Sequence, residues 1–486
     1  MIITILIVLA ALILVAQACI GLSFFISCIW EKEKRAALFA GLQCFGMLCV
    51  LSAFLYLVRI DFFETDTGLA ILIIGLILGA LVAVLFLRRT APNKKARAGT
   101  KGSIVGEVRR FDERDQVFAR NRSLRPGSEQ YRAYYKEHPE REAIDAKRRA
   151  KGGPIGDLGI IDRPHSAANA SATLASLSMS LYLSTPEKVS PQAHVQLKGT
   201  KVNLSPEEAT ERVKGYARYL GADLVGITEI NPLWLYSHRG EIFHDNWEDW
   251  GKEIEHSHPY AVVCAEEMSF AMVGAAPHTP TTIESMKNYA KGAVIADQLA
   301  AFIANLGYSA TAQFLRHYDA ILVPLAVDAG LGECGRLGYV MTKEFGPRIR
   351  LSAVTTDLPL VPDKPIDIGA EDFCRICKKC AVCCPSRSIP LDDHQKETNG
   401  TLRWKLNDET CFDYWGHIGT DCNICMRVCP WSHARTLPHK IIVEIITRNK
   451  HARRFFNVMD DIFYGKKPKP KQTAPRWAAF HSWEKE

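Results

Sequence analysis

The sequence predicts three transmembrane helices, then a soluble α/β (α+β) part that closes on a ferredoxin-like domain built round two iron-sulfur clusters. Three observations predict this order. The first 87 residues are overwhelmingly apolar. The middle alternates short apolar runs with helix-period segments. Near the end stand Cys374-x2-Cys377-x2-Cys380-x3-Cys384-Pro385 and Cys411-x10-Cys422-x2-Cys425-x3-Cys429-Pro430.

Residues 1 to 29, 36 to 58 and 68 to 87 carry no charged side chain, and each run can cross about 30 Å of hydrocarbon as a helix. The first lacks the basic n-region of a cleaved signal peptide and exceeds an ordinary h-region. Loop charge sets the expected orientation. Glu31 to Arg35 holds three basic and two acidic residues, whereas Arg59 to Thr67 holds one basic and three acidic. After the third run come Arg88, Arg89, Lys94, Lys95, Arg97 and Lys101 with no acid among them. The positive-inside rule then predicts a multi-pass inner-membrane protein with its amino terminus outside and everything after Leu87 in the cytoplasm. The same basic run would hold anionic lipid headgroups. Formal charge is +7 over 486 residues, gathered beside the membrane runs without a nucleic-acid-binding signature, so lipid is the expected partner and nucleic acid is not.

Residues 88–150 form a basic juxtamembrane and charged segment, with an Ala/Ser-rich stretch from Ala167 to Ser180 beyond it; neither carries obvious chemistry. Ser205-Pro206-Glu207-Glu208 opens a helix with a capping box that runs to Gly221. Ala222 to Ile227, Ala261 to Ala265 and Ala320 to Ala326 read as buried strands, and Ile283 to Leu306 as a long helix ending near Gly307. A Gly-rich turn, Gly330-Leu-Gly332-Glu-Cys-Gly335-Arg336, follows the third strand candidate, where backbone could approach a ligand closely. Trp234, Trp247 and Trp250 fit either an apolar cavity or the core. From Gly465 the chain reads as a basic arm or wrapping segment.

Fifteen cysteines do not imply a disulfide framework, because the two runs have cubane spacing and four more cysteines lie in the apolar segments. In two-cluster domains the cysteine before the proline crosses to the other cluster. The spacing therefore assigns Cys374, Cys377, Cys380 and Cys429 to one [4Fe-4S] centre, and Cys384, Cys411, Cys422 and Cys425 to the other. Cys411 enters by count, being ten residues from its neighbour, and Cys383 is spare. Zinc prefers paired cysteines with long intervals between pairs.

Asp328 to Gly338, Phe345-Gly-Pro-Arg-Ile-Arg350, Thr356 to Leu360, Pro362-Asp-Lys-Pro365 and the cysteine runs together resemble the catalytic subunit of corrinoid-dependent reductive dehalogenases. The resemblance covers roughly residues 105 to 470. It implies a nitroreductase-like domain at 151–365 holding base-off cobalamin, a ferredoxin-like domain at 366–440, and a helix with basic tail at 441–486. No Asp-x-His-x-x-Gly motif offers cobalt a histidine, in keeping with that family. The three helices at 1–87 resemble the small anchor protein that partners such enzymes, fused to the catalytic chain, whereas the family's twin-arginine export signal is missing; the family's outer-face location is therefore the alternative. The resemblance implies loss of halogen from an organohalide, with electrons from quinol or from reduced ferredoxin or flavodoxin.

It also implies a proton donor, matched to Tyr289, with Arg350 as its basic partner and Arg348 as the neighbouring alternative. A phenol beside a cation suits this task because the cation stabilises phenolate. A third polar position falls at Arg316 or His317, and Gly330, Gly332, Gly335 and Arg336 would border the cofactor. Each has a plainer reading: Tyr289 shares a helical stripe with Met286, Ala293 and Ala296, and two arginines two apart on a strand would share a face. The rival functions are an epoxyqueuosine reductase-like corrinoid enzyme and a membrane-anchored electron carrier without substrate.

Overall fold

The computed structural model describes residues 1–152, 166–183, 201–242 and 247–479. They fall into two compact units, Met1–Pro92 with His433–Thr473, and Asn93–Ser432 with the segment from Ala474.

In the first unit, α1 (Ile2–Trp30), α2 (Lys34–Arg59) and α3 (Asp66–Leu87) are each long and apolar enough to cross a membrane. Small residues meet where helices touch: Gly21 lies against Met47 and Gly41 against Phe25. Leu12, Ile26, Leu42, Phe45, Leu78 and Leu81 face outward, as lipid-facing side chains do. Thr65 caps α3, its hydroxyl accepting from Gly68 N at 3.1 Å. The far end of α3 is closed by Asn449, whose amide donates to the carbonyls of Leu85, Phe86 and Arg88. The same side chain starts the Lys450–Tyr464 helix by accepting from His451 and Ala452. One amide thus satisfies orphan carbonyls of one helix and orphan N–H groups of the next. The basic tail wraps: Lys471 Nζ is 2.6 Å from Glu33, and Lys32 donates to the Gln472 carbonyl.

The second unit is organised on an antiparallel sheet in the order β1-β2-β4-β3, formed by Leu224–Glu229 (β1), Tyr260–Glu267 (β2), Ala310–Gln313 (β3) and Ile349–Thr356 (β4). Val262 pairs with Val354 and Glu266 with Arg350. Both faces are covered, as the alternation along β2 requires. Val262 and Cys264 pack under α4 (Thr279–Asn305), with Ala293, Ala296, Leu299 and Ile303 opposite. Ala261, Val263 and Ala265 pack on the other side with Trp234, Leu325 and Ala326. Gly292 permits this approach, since a Cβ there would stand 3.1 Å from Glu266 and from Ser352.

The Ser205 helix start and the first two strand expectations match observed elements; Ser205 accepts from Glu208 N at 3.2 Å. Residues 320 to 326 do not form a strand. They enter a helix, Leu322–Asp328, because Pro324 lacks the N–H a central strand needs yet is harmless in a first turn. Ala310–Gln313 takes the sheet position instead. The Ala/Ser-rich stretch is a helix, Ser166–Leu183. Trp234 and Trp250 are core residues, the former donating to Thr100 Oγ1 at 3.0 Å; the Trp247 side chain lies outside the described residues.

Candidate active site

The first cysteine run sits on two short helices, Ala370–Cys377 and Lys379–Cys383, divided by Lys378 in the left-handed region. Its scaffold comes from the Gly-rich turn. The Glu333 carboxylate accepts from the N–H groups of Ile368, Gly369 and Ala370 at 2.6, 2.7 and 3.2 Å, capping the helix that carries Cys374 and Cys377. Arg336 donates to the carbonyls of Cys374, Pro390 and Asp392 and lies over Trp404. The glycines border the chain itself: a Cβ at Gly330 would meet the Lys364 carbonyl at 2.5 Å, and one at Gly332 the Met341 carbonyl at 2.0 Å. At Gly335 it would meet Met341 Cγ at 2.6 Å. The close approaches of Gly330, Gly332 and Gly335 are to the chain's own residues. Arg336 holds the first cysteine run while its Nη2 is buried without a hydrogen-bond partner in the chain.

Burial first, and the charges of Cys374, Cys429 and Cys377 next, keep the Cys380 thiol well above its ordinary range. The second group behaves alike. Burial, then Cys425 and Cys384, push Cys411 up to about 12, and burial with Cys422 and Cys384 does the same to Cys425. The chain gathers these thiols into two groups, and burial is the largest cause that raises Cys374, Cys380, Cys411, Cys422 and Cys425. Such sets fit cationic iron, which relieves both penalties. A cavity of about 460 Å³, open mouth included, is bordered by Cys384, Cys411, Cys422 and Cys425.

Cys411 arrives on α5 (Asp408–Ile418), whose first turn is capped by Asn407. That helix is anchored by the charged segment for which the sequence suggested no chemistry. Arg120 binds Asp145 at 2.8 Å and Glu409 at 2.5 Å, and Arg148 binds Asp413 at 2.6 Å as well as Glu409. Cys422 and Asn423 both take left-handed backbone, which Asn tolerates. Asn423 donates to Thr281, Ser285 and Asp421, while Thr282 donates to Asp421 at 2.9 Å. The second cysteine loop is thus fastened to the first turns of α4.

Ser285 and Tyr289, one turn apart on that helix, face the start of β4. Arg350 donates to Ser285 at 2.7 Å and lies 3.5 Å from Asp421. Its guanidinium carbon is 5.1 Å from the centre of the Tyr289 ring. Burial opposes the Arg350 charge, but Tyr289, Asp421, Tyr339 and Tyr318 outweigh it and hold the guanidinium above its usual value. Its Nε is buried without a hydrogen-bond partner in the chain, which fits an acceptor on a bound cofactor or substrate. Tyr339 links the two regions, being close enough to feel the charges of Cys425, Cys411, Arg350 and Tyr289.

Of the residues singled out in the sequence, Tyr289 and Arg350 are brought together. Arg348 is not with them: it precedes β4, is 1 % exposed, and donates to the Ser432 carbonyl, Glu267 and the Met268 carbonyl. The idea that the two arginines share a strand face fails because the strand begins between them. Arg316, at φ +64°, sits 3.5 Å from Glu241, and burial and then the Arg122 charge pull it well below its usual value. His317 closes a tight turn with Phe314 through paired backbone hydrogen bonds. Sequence reasoning missed Arg122, which feels the charges of Glu241, Tyr289 and Asp421, and Tyr318, which feels Tyr289 and Glu241. It also missed Ser285 and Asp421. The i, i+4 spacing of Ser285 and Tyr289 and the Asp421-Cys422-Asn423 triplet were the available signals.

No family model matches the chain. It is 33% identical over 296 residues to the tetrachloroethene reductive dehalogenase of Desulfitobacterium hafniense, covering 52% of this chain and 53% of that one. Among solved structures it is similar to the catabolic reductive dehalogenase NpRdhA, at 26% identity and a TM-score of 0.58, covering 78% of this chain and 49% of that one. A further structure, described as suggesting a mechanism for B12-dependent dehalogenation, matches at 27% identity and a TM-score of 0.56, covering 78% and 49%. The chain spans about half the length of the curated relatives it matches.

Proposed function

We propose that this chain is a membrane-anchored reductive dehalogenase that replaces a carbon-bound halogen by hydrogen at the expense of two electrons and one proton. The observation that carries the reading is Tyr289 beneath Arg350, with Tyr339, which borders the cavity beside Cys411 and Cys425, near enough to feel the charges of that pair. The domain assignment follows the sequence reading: a nitroreductase-like sheet domain and a ferredoxin-like cysteine domain. Cys374, Cys377, Cys380 and Cys429 hold one [4Fe-4S] centre, and Cys384, Cys411, Cys422 and Cys425 the other. When bound, a corrinoid supplies carbon–halogen cleavage, and two cubanes supply its electrons singly.

The remaining work falls to the chain. Tyr289 Oη gives its proton to the carbon that loses halide, and Arg350 holds the negative charge left on the phenol ring. Ser285 and Asp421 fix the guanidinium so that it meets the ring without reorganising. Arg316, paired with Glu241, and Arg122, which feels the charges of Glu241 and Tyr289, add positive charge nearby. Lipid anchors α1 to α3, and the basic run after Leu87 supports a cytoplasmic catalytic part served by a quinol, ferredoxin or flavodoxin donor.

The test is an anaerobic preparation of the full chain assayed for halide release from chlorinated ethenes and halogenated phenols with a chemical reductant. Halide release is expected from protein holding about eight irons and one cobalt per chain. Iron without cobalt and no halide would make the chain an electron carrier instead.

A further inference from the structure

We propose that Glu31, His433 and His439 bind one divalent first-row transition ion, of the zinc class, at the end of α1. None of the three takes part in the chemistry above. Glu31 follows the apolar helix directly and is 1 % exposed, yet neither carboxylate oxygen has a hydrogen-bond partner. A bare buried carboxylate is costly unless a cation or a set of donors meets it. The Lys471 ammonium nearby is taken by Glu33 at 2.6 Å, and the nearest groups to Glu31 are two histidines. One carboxylate oxygen and one ring nitrogen from each histidine lie within 4.8 Å of one another.

The outer nitrogens are already committed in the manner of metal-bound histidines. His433 Nε2 is 2.7 Å from Asp460 Oδ1, leaving Nδ1 as its ligand atom. His439 Nε2 is 2.9 Å from the Tyr464 hydroxyl, and its Nδ1, 3.5 Å from Glu31 Oε1, is 2.7 Å from the Thr436 hydroxyl, which a bound ion would displace. An imidazole whose far N–H is held by a carboxylate or hydroxyl is oriented and made more basic toward a metal. The two rings stack 4.9 Å apart at 17°, so two imidazolium charges there would repel, whereas two neutral rings can share one cation. Nitrogen and carboxylate oxygen without thiolate select zinc and its first-row neighbours over calcium or magnesium. All the named residues belong to the first unit, where the ion would tie the end of α1 to the helices Leu437–Arg448 and Lys450–Tyr464.

The test uses the full chain in detergent with its cysteine groups loaded with iron, so that cluster thiols cannot capture the probe. Equilibrium dialysis against Zn2+, read by elemental analysis, should add one ion per chain with iron content unchanged. Glu31→Gln should abolish that uptake. Asp460→Asn, which leaves all three ligands in place, should weaken Zn2+ binding by about 10- to 100-fold. No uptake by the unaltered loaded chain, or wild-type affinity in folded Glu31→Gln, would overturn the proposal.

Discussion

The two cysteine groups differ in how their ligands are delivered. In the first, Cys374, Cys377 and Cys380 lie within seven residues on two short helices, and local devices position them: the Glu333 cap and the Arg336 clamp. In the second, Cys411 rides on α5, which is pinned from a distance by Arg120 and Arg148. The first group is held by its own neighbourhood, whereas the second is bolted to α4 through Asp421 and Asn423, on the helix that bears Tyr289. The second group is therefore the one in structural contact with the proposed chemistry.

The largest expected effect comes from removing ligands. Cys411→Ser should lower iron from about eight to about four per chain by the two-cubane arithmetic and abolish dehalogenation. Iron unchanged in that variant would remove Cys411 from the second group and void the comparison. Next is the remote support. Asp145→Ala removes one of the two carboxylates that pair Arg120, Glu409 remaining, and should destabilise the second unit by about 1.5–3 kcal/mol in denaturant unfolding. The second centre's EPR signal should weaken while the first persists. Smaller still is the local cap: Glu333→Gln keeps one acceptor oxygen but loses the charge facing a helix start, and should cost about 0.5–2 kcal/mol, felt at the first centre alone. Equal loss of both signals would mean that the groups are not separately supported. Cys383→Ser should leave both spectra and the iron count unaltered.

Much of this was legible in the sequence because some devices are local. Charge-free runs, a capping box and cysteine spacing each act over a few residues, so α1 to α3, the Ser205 cap and the first cysteine run could be read directly. Tyr289 and Arg350 came from resemblance, and their meeting depends on the β2–β4 register and on Gly292 letting α4 down onto the sheet. Arg122 was invisible because nothing near it in sequence hints that it feels the charge of Tyr289. Glycines mark close approach without saying to what, and at Gly330 and Gly332 the near neighbour is a carbonyl of the chain. Residues 320 to 326 show apolar character outweighed by one proline.

The central claim is that Tyr289 delivers the proton with Arg350 holding the phenolate charge, and one substitution addresses it most directly. Tyr289→Phe removes a hydroxyl and almost no volume, so iron, cobalt and cluster spectra should match the unaltered chain. Halide release with a chemical reductant, which bypasses the physiological donor, should fall by about two orders of magnitude or more, the range for losing a general acid. Arg350→Leu should depress turnover similarly, and Arg350→Lys should restore part of it. An unaltered rate in Tyr289→Phe would contradict the account and show that Tyr289 is a packing residue.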